Sequence, residues 1–111
     1  MKLHSMDAVN SFTNPKSLAV IGASNTPGKI GAAIVNNLLK SGYKGKIYPI
    51  NPKEKEISGI RCYATVADVP GDIEMAIFSI PARKTLETAE ECGKKGVKNL
   101  VVITAGFKDI G

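Results

Sequence analysis

The 111-residue sequence has no tryptophan, one histidine and two cysteines. Cys62 and Cys92 stand far apart, without C-x-x-C spacing or neighbouring histidines, so they form neither a zinc site nor a disulfide framework. We expect free thiols in a reducing, cytoplasmic compartment. No apolar run approaches the roughly 20 residues that cross a membrane. The sequence therefore gives no indication of a membrane partner or of metal chemistry.

The charge balance is basic but evenly mixed. Fifteen lysines and arginines against ten acidic residues give a formal net charge of +5. Basic residues alternate with acidic ones, and no helix combines a lysine and arginine cluster with interleaved aromatics, so we do not expect a nucleic-acid partner. A phosphorylated small molecule accounts for the surplus with fewer assumptions.

The stretch over residues 17–39 organises the rest of the chain. An apolar run at residues 17–21 predicts a buried parallel strand, and the small residues at 22–28 predict a turn. From Lys29 the period becomes helical, with one apolar face made by Ile30, Ala33, Ile34 and Leu38. A glycine-rich turn that leads into a helix N-terminus presents free N–H groups and the positive end of the helix dipole, which favours an anion.

Further strands are predicted at residues 46–51, 60–63, 73–80 and 99–104. A one-turn helix is predicted to begin at Thr65. A longer helix over residues 82–95 should point Leu86, Ala89 and Cys92 with Gly93 inward and Glu91 outward. Strands that alternate with helices predict right-handed crossovers. We predict an α/β fold, a Rossmann-like parallel sheet of about five strands in the order 3-2-1-4-5, with helices on both faces.

We assign residues 12–111 to this domain and residues 1–11 to an N-terminal extension. A helix would be expected to cover the sheet after its last strand, and these 111 residues do not provide one. We therefore expect the domain to be the first of a longer chain. Apolar surface beside the last strand would also favour self-association.

The parallel strands should all end at the same edge of the sheet, and small or turn-forming residues follow each of them. Any one of these turns could simply end its strand, but together they predict a ligand crevice at the carboxyl edge. Arg83 and Lys84 stand in the first turn of a helix, where they either flank an anion or are simply solvated. The strand-end residues are Gly22-Ala23-Ser24, Asn51-Pro52-Lys53, Ile80-Pro81-Ala82 and Thr104-Ala105-Gly106.

A nicotinamide dinucleotide fits this sequence poorly. The G-x-G-x-x-G fingerprint is absent, because Gly22, Gly28 and Gly31 are spaced G-x5-G-x2-G. Asn51-Pro52-Lys53 stands where a ribose-binding carboxylate would be expected. A lysine there suits a phosphorylated ribose, and both NADP and coenzyme A carry one. An NADP-binding oxidoreductase or sensor domain therefore stays an alternative.

Four segments in order, NPKSLAVIGAS, YPINPK, DVPGDIEMAIFSIPA and GVKNLVVITAGF, resemble the N-terminal CoA-binding domain of NDP-forming acyl-CoA synthetases. These are the ADP-forming acetyl-CoA synthetases, related to the succinyl-CoA synthetase α subunit. The resemblance covers residues 12–111 and implies a Rossmann-like domain that binds coenzyme A or acyl-CoA. It also implies partnership with the remaining domains or subunit of a synthetase.

The resemblance also implies roles for individual residues. The first phosphate turn would comprise Gly22, Ala23, Ser24 and Asn25, and Lys53 would reach the phosphorylated ribose or the pyrophosphate. Ile80 and Pro81 would border the adenine or pantetheine path, and Thr104, Ala105 and Gly106 would close the crevice. Asn51 and Arg83 complete the set of expected ligand-binding residues.

In the resembled family a phosphohistidine and a nucleotide-binding domain lie outside this region. His4 precedes the fold and matches nothing in the family, so this chain should bind coenzyme A and catalyse nothing by itself. A stand-alone CoA-binding regulatory module is the alternative.

Overall fold

Parallel strands and helices alternate in the computed structural model, which describes residues 14–103. Four parallel strands form one sheet in the order β2-β1-β5-β6, and β3 and β4 form a separate antiparallel hairpin. This confirms the predicted α/β class with a Rossmann-like sheet. The elements are β1 (Ser17–Ile21), α1 (Ile30–Lys40), β2 (Lys46–Ile50), β3 (Glu56–Ile57), β4 (Ile60–Arg61), a 3-10 helix (Val66–Asp68), β5 (Met75–Phe78), α2 (Ala82–Lys95) and β6 (Asn99–Val102).

The strand count differs from the prediction of five. Residues 60–63 do not form a full strand beside β2, because β4 pairs with β3 instead. The turn between them, Ser58-Gly59, has positive φ at both positions (52° and 82°), which closes a tight hairpin. Only Tyr63 reaches the sheet, through a single parallel bridge to Ile50. The predicted third strand therefore survives as one bridge at the outer edge of β2.

Strand β1 is central and buried at all five residues. It lies between β2 and β5, and both faces of the sheet are covered, which is why its sequence is an unbroken apolar run after Ser17. Ala19 and Ile21 belong to the core cluster that contains α2 and the 3-10 helix. Val20 belongs to the cluster that contains α1 and the hairpin. Helices therefore cover both faces, as predicted.

Helix α1 packs through a face that differs from the predicted one. Ile30 exposes 38% of its surface, whereas Gly31, Ala32 and Val35 are buried. The reason is the position of Gly31, where a Cβ atom would collide with the carbonyl oxygen of Gly22. This contact of helix with turn fixes the rotation of α1. Ile34 and Leu38, which were predicted to face inward, do pack against the core.

Helix α2 also differs from the prediction at one position. Ala89 and Cys92 pack in the core, but Leu86 exposes 75% of its surface. Ala89 and Cys92 lie on the face of the helix that packs on the sheet, and Leu86 lies on a different, exposed face. Of the helices within residues 14–103, none has the length and apolar character needed to cross a membrane.

Candidate ligand-binding site

A cavity of about 610 Å³ opens at the carboxyl edge of the sheet, where β1, β2 and β5 end. Its volume lies within the usual range for small-molecule sites. The fold brings seven of the predicted ligand-binding residues into its wall: Gly22, Ala23, Ser24, Asn51, Lys53, Ile80 and Pro81. Segments that are distant in sequence therefore meet at the predicted edge.

The turn after β1 approaches the end of β5 closely at Gly22. Gly22 has φ +88°, and a Cβ atom there would lie 2.5 Å from the carbonyl oxygen of Ser79 and 2.9 Å from Cγ2 of Ile80. Its N–H donates to the carbonyl oxygen of Ile50 (3.1 Å). Only glycine fits both the dihedral and the space. The start of the turn is therefore held against both neighbouring strands.

Ser79 holds the same turn from the side of β5. Its Oγ donates to the carbonyl oxygens of Ile21 (3.0 Å) and Gly22 (3.3 Å), and its N–H donates to Ile21 (2.8 Å). Ser79 was not among the residues predicted from the sequence to form the site. The available signal was a hydroxyl residue at the end of an otherwise apolar strand, one position before Ile80.

Asn51 connects the first turn to the loop that carries Lys53. Its Nδ2 donates to the carbonyl oxygen of Ala23 (2.8 Å), and its Oδ1 accepts from the backbone N–H of Lys53 (2.8 Å). Both ends of the amide are therefore engaged within the protein. Asn51 positions the loop, and the exposed Lys53 side chain is the group left for a ligand.

Two helix N-termini open onto the cavity. Lys29 is the N-cap of α1 and Pro81 is the N-cap of α2, and both line the cavity. Neither helix has a side-chain cap hydrogen bond or an acidic residue in its first turn. Free backbone N–H groups and the positive ends of two helix dipoles therefore converge on one space, which favours an anion.

The charged residues that line the cavity are mainly basic. Lys29, Lys53 and Lys84 come from three separate segments, and Glu91 is the one acidic residue in the wall formed by the described chain. Lysines around a concave surface raise the local concentration of anions. Lys29 was not among the residues predicted from the sequence to bind a ligand. Glu91 is exposed, as predicted for the outer face of its helix, and it also lines the cavity.

Asn25 does not reach the cavity wall. Its Nδ2 donates to the carbonyl oxygen of Glu56 (2.9 Å) and to Oε1 of Glu54 (3.2 Å), while its Oδ1 accepts from the N–H of Ser58 (3.2 Å). Asn25 therefore joins the first turn to the hairpin. Its role in the phosphate turn stays a prediction.

Arg83 also lies outside the wall. It is exposed at the start of α2, and the next residue, Lys84, lines the cavity in its place. One residue along a helix is a rotation of about 100°, so only one member of the pair can face the site. The remaining predicted residues, Thr104, Ala105 and Gly106, lie outside the described part of the chain.

Neither cysteine is a nucleophile at neutral pH. Burial raises the pKa of the Cys62 thiol, and burial together with the negative charge of Glu91 raises the pKa of Cys92 to about 11. Both thiols are therefore protonated. Residues 14–103 also contain no group of three or more histidine, cysteine, aspartate or glutamate side chains that could hold a metal ion.

The fold and the cavity together define a Rossmann-like domain with a site for an anionic, nucleotide-type ligand. The family profile of the "CoA binding domain" matches residues 16–109. The chain belongs to this family, and coenzyme A is the molecule that such a domain binds.

Relatives with assigned activities share this domain. The chain is 56% identical over 97 residues to an ADP-forming acetate–CoA ligase of Methanocaldococcus jannaschii, which covers 87% of this chain and 14% of the ligase. It superposes with a TM-score of 0.85 on a dinucleotide-forming acetyl-coenzyme A synthetase from Candidatus Korarchaeum cryptofilum, solved with phosphate and ADP. That structure is 50% identical and is matched over 93% of this chain and 22% of its own.

A smaller solved structure is also similar. A conserved hypothetical protein from Pyrococcus furiosus is 34% identical with a TM-score of 0.73, over 79% of this chain and 74% of that protein. By contrast, the chain spans only 14% to 23% of the length of the curated relatives it matches.

Proposed function

We propose that the carboxyl-edge cavity binds the phosphorylated end of coenzyme A through the turn at residues 22–24, Lys29, Lys53 and Lys84. The observation that carries this proposal is the convergence of two uncapped helix N-termini and three lysines on one cavity. Coenzyme A carries a pyrophosphate and a 3′-phosphate, so three cations and two sets of free N–H groups match its charge.

The shape of the site fits this ligand. Gly22 and Gly31 let the first turn pack directly against β5 and the start of α1, which holds the turn and the helix N-terminus together at the cavity. Asn51 holds the loop of Lys53 with both ends of its amide, so that lysine needs little reordering to meet a phosphate. Coenzyme A supplies a thiol nucleophile, and the role we propose for this chain is to hold it.

At the level of the whole protein, we propose a CoA-binding part of an ADP-forming acyl-CoA synthetase in the cytoplasm. The support is the match to ligases that are several times longer. The 111-residue chain should bind coenzyme A and desulfo-CoA and show no ADP-forming ligase activity with acetyl-CoA. Formation of ATP from acetyl-CoA, ADP and phosphate by this chain alone would contradict the proposal.

Titration calorimetry with a matched pair of variants tests the assigned residues. Lys84→Gln should weaken coenzyme A binding about tenfold, because it removes a charge-assisted contact with a phosphate. Arg83→Gln removes the same charge one residue away, outside the cavity wall, and should change the affinity by less than about twofold. Equal effects in the two variants would show that only the net charge matters.

The choice of ligand is tested in the same titration. Coenzyme A should bind more tightly than dephospho-CoA, since Lys53 is proposed to meet the 3′-phosphate. NADP is the competing candidate, because it too carries a phosphorylated ribose, and it should not displace coenzyme A at equal concentration. Displacement by NADP would favour the alternative of an NADP-binding oxidoreductase or sensor.

A stand-alone CoA-binding module is the second candidate. The similarity to the Pyrococcus furiosus hypothetical protein favours it, because that match covers most of a small protein. The two candidates differ in what the gene encodes beyond Gly111. An adjoining reading frame for the remaining synthetase domains would support the ligase, and a stop codon soon after this point would support the module.

Self-association is a further proposal for this chain. Leu100 and Val102 on the edge strand β6 expose 42% and 46% of their surfaces, and Leu86 is exposed on the helix flank. Sedimentation velocity should show a concentration-dependent dimer that Leu100→Lys weakens. A monomer at all concentrations up to about 0.5 mM would contradict it, since weak pairs form at such concentrations.

A further inference from the structure

Helix α2 presents a polar stripe to the cavity. Lys84, Thr88 and Glu91 are spaced by four and then three residues, which places them on one face of a helix. All three line the cavity. The stripe therefore forms a continuous wall of the cavity. Its C-terminal end, at Glu91, lies beyond Lys84, which is one of the proposed phosphate-binding residues.

The side chains of this stripe have no polar partner among the residues that the structure describes. Among residues 14–103, Lys84, Thr88 and Glu91 make no side-chain hydrogen bond or ion pair, although their neighbours do. Thr85 donates to the carbonyl oxygen of Pro81 (3.4 Å), and Lys95 donates to the carbonyl oxygen of Val69. The bond of Thr85 lies within the helix, and the bond of Lys95 ties the helix to the residue after the 3-10 helix, while the stripe itself is open to a ligand.

Glu91 is exposed in the cavity wall, and its negative charge would repel a polyanion there unless the carboxylate also accepts a hydrogen bond from the ligand. Seven residues separate it from Lys84, a distance of about 10 Å along the helix axis. A carboxylate accepts hydrogen bonds and donates none when ionised. The parts of coenzyme A that carry no charge offer N–H donors in two places, the 6-amino group of adenine and the two amides of the pantetheine arm.

We infer that Glu91 accepts a hydrogen bond from an N–H group of the uncharged part of coenzyme A, with the Thr88 hydroxyl beside it. This makes the α2 wall a specificity determinant that is separate from the phosphate contacts. The inference rests on the proposed function, because it needs coenzyme A in this cavity. Lys84 holds the charged end of the ligand, and Glu91 selects what is attached to it.

The inference is tested by whether one substitution, Glu91→Ala, raises or lowers the affinity for coenzyme A. If Glu91 only adds negative charge to the cavity, Glu91→Ala should tighten the binding of coenzyme A, because a repulsion is removed. If it accepts a hydrogen bond, Glu91→Ala should weaken binding about tenfold. Glu91→Gln loses the same charge but keeps an acceptor, so it should retain affinity to within about threefold. Calorimetry on the 111-residue chain measures the affinity of the wild type and of both variants.

Glu90→Ala is the matched control. Glu90 precedes Glu91, is exposed and does not line the cavity, so its removal changes the net charge equally without touching the ligand. The Glu90→Ala variant should bind coenzyme A like the wild type. Tighter or unchanged binding in Glu91→Ala overturns the inference, as does equal weakening in Glu90→Ala. Absence of coenzyme A binding by the wild-type chain would instead overturn the proposed function.

Two fragments of the ligand identify which N–H group is bound. Adenosine 3′,5′-bisphosphate carries the adenine amino group but no pantetheine, and 4′-phosphopantetheine carries the amides but no adenine. Glu91→Ala should weaken the binding of one of these fragments about tenfold and leave the binding of the other unchanged. If both fragments bind Glu91→Ala as tightly as they bind the wild type, the contact with an N–H donor is refuted.

Discussion

Replacing Gly22 by alanine perturbs the contact on which the geometry of the first turn depends. At φ +88° an L-residue costs about 1–2 kcal/mol. The added Cβ would also lie 2.5 Å from the carbonyl oxygen of Ser79, a backbone atom that cannot rotate away. Such overpacking costs about 1–3 kcal/mol. We expect Gly22→Ala to lower the free energy of unfolding by about 2–5 kcal/mol.

Gly28→Ala separates the two contributions. Gly28 has a similar dihedral, φ +91°, but a Cβ atom there would meet nothing within 4 Å. This variant should lose only the conformational part, about 1–2 kcal/mol. Urea unfolding followed by circular dichroism measures both variants, and calorimetry compares their affinity for coenzyme A. Only Gly22→Ala should reduce that affinity. Equal losses of stability would refute the close approach of the first turn to Ser79.

Three further outcomes are expected. Lys53→Glu should weaken coenzyme A binding at least tenfold in calorimetry. Lys55→Glu makes the same charge change outside the cavity wall and should not weaken binding. Similar losses of affinity in the two variants would contradict this. Ser79→Ala should destabilise the chain by about 1 kcal/mol in urea unfolding, and no change would contradict its hydrogen bonds. Because the native pKa of Cys92 is about 11 against an ordinary 9.0, the native state retains a proton that the unfolded state releases. The free energy of unfolding should therefore fall between pH 9 and 11, by up to about 1.4 kcal/mol per pH unit, and Cys92→Ala should flatten this slope; an unchanged slope would refute it.

The strand–turn–helix unit at the start of the domain was predictable because local sequence determines it. The run from Ser17 to Ile21 is apolar throughout, and the turn that follows is rich in small residues, so few alternatives compete. The carboxyl edge as the ligand site followed from the parallel sheet alone. Both features depend on periodicity and chain direction rather than on particular contacts.

The orientation of individual side chains was not predictable in the same way. Asn25 follows Ser24 in the first turn, yet its side chain bonds to two residues of the hairpin and to Glu54 before it, and it does not line the cavity. The rotation of α1 depends on one contact, between Gly31 and the carbonyl group of Gly22. The sequence predicts correctly that Glu91 is exposed, but it does not show that α2 places this residue beside the cavity. These features depend on tertiary packing, on which local patterns carry no information.

The spacing of the glycines explains why the dinucleotide fingerprint is absent from a site of the same architecture. In that fingerprint the first glycine forms the tight turn, the second lets the backbone approach the pyrophosphate, and the third permits close packing of helix on strand. Gly22 and Gly31 provide the first and third roles here, as their contacts show. Gly28 does not line the cavity, and the turn is longer. Under the proposed function, part of the ligand's charge must then be met by groups outside the turn, which is consistent with lysines from three separate segments around one cavity.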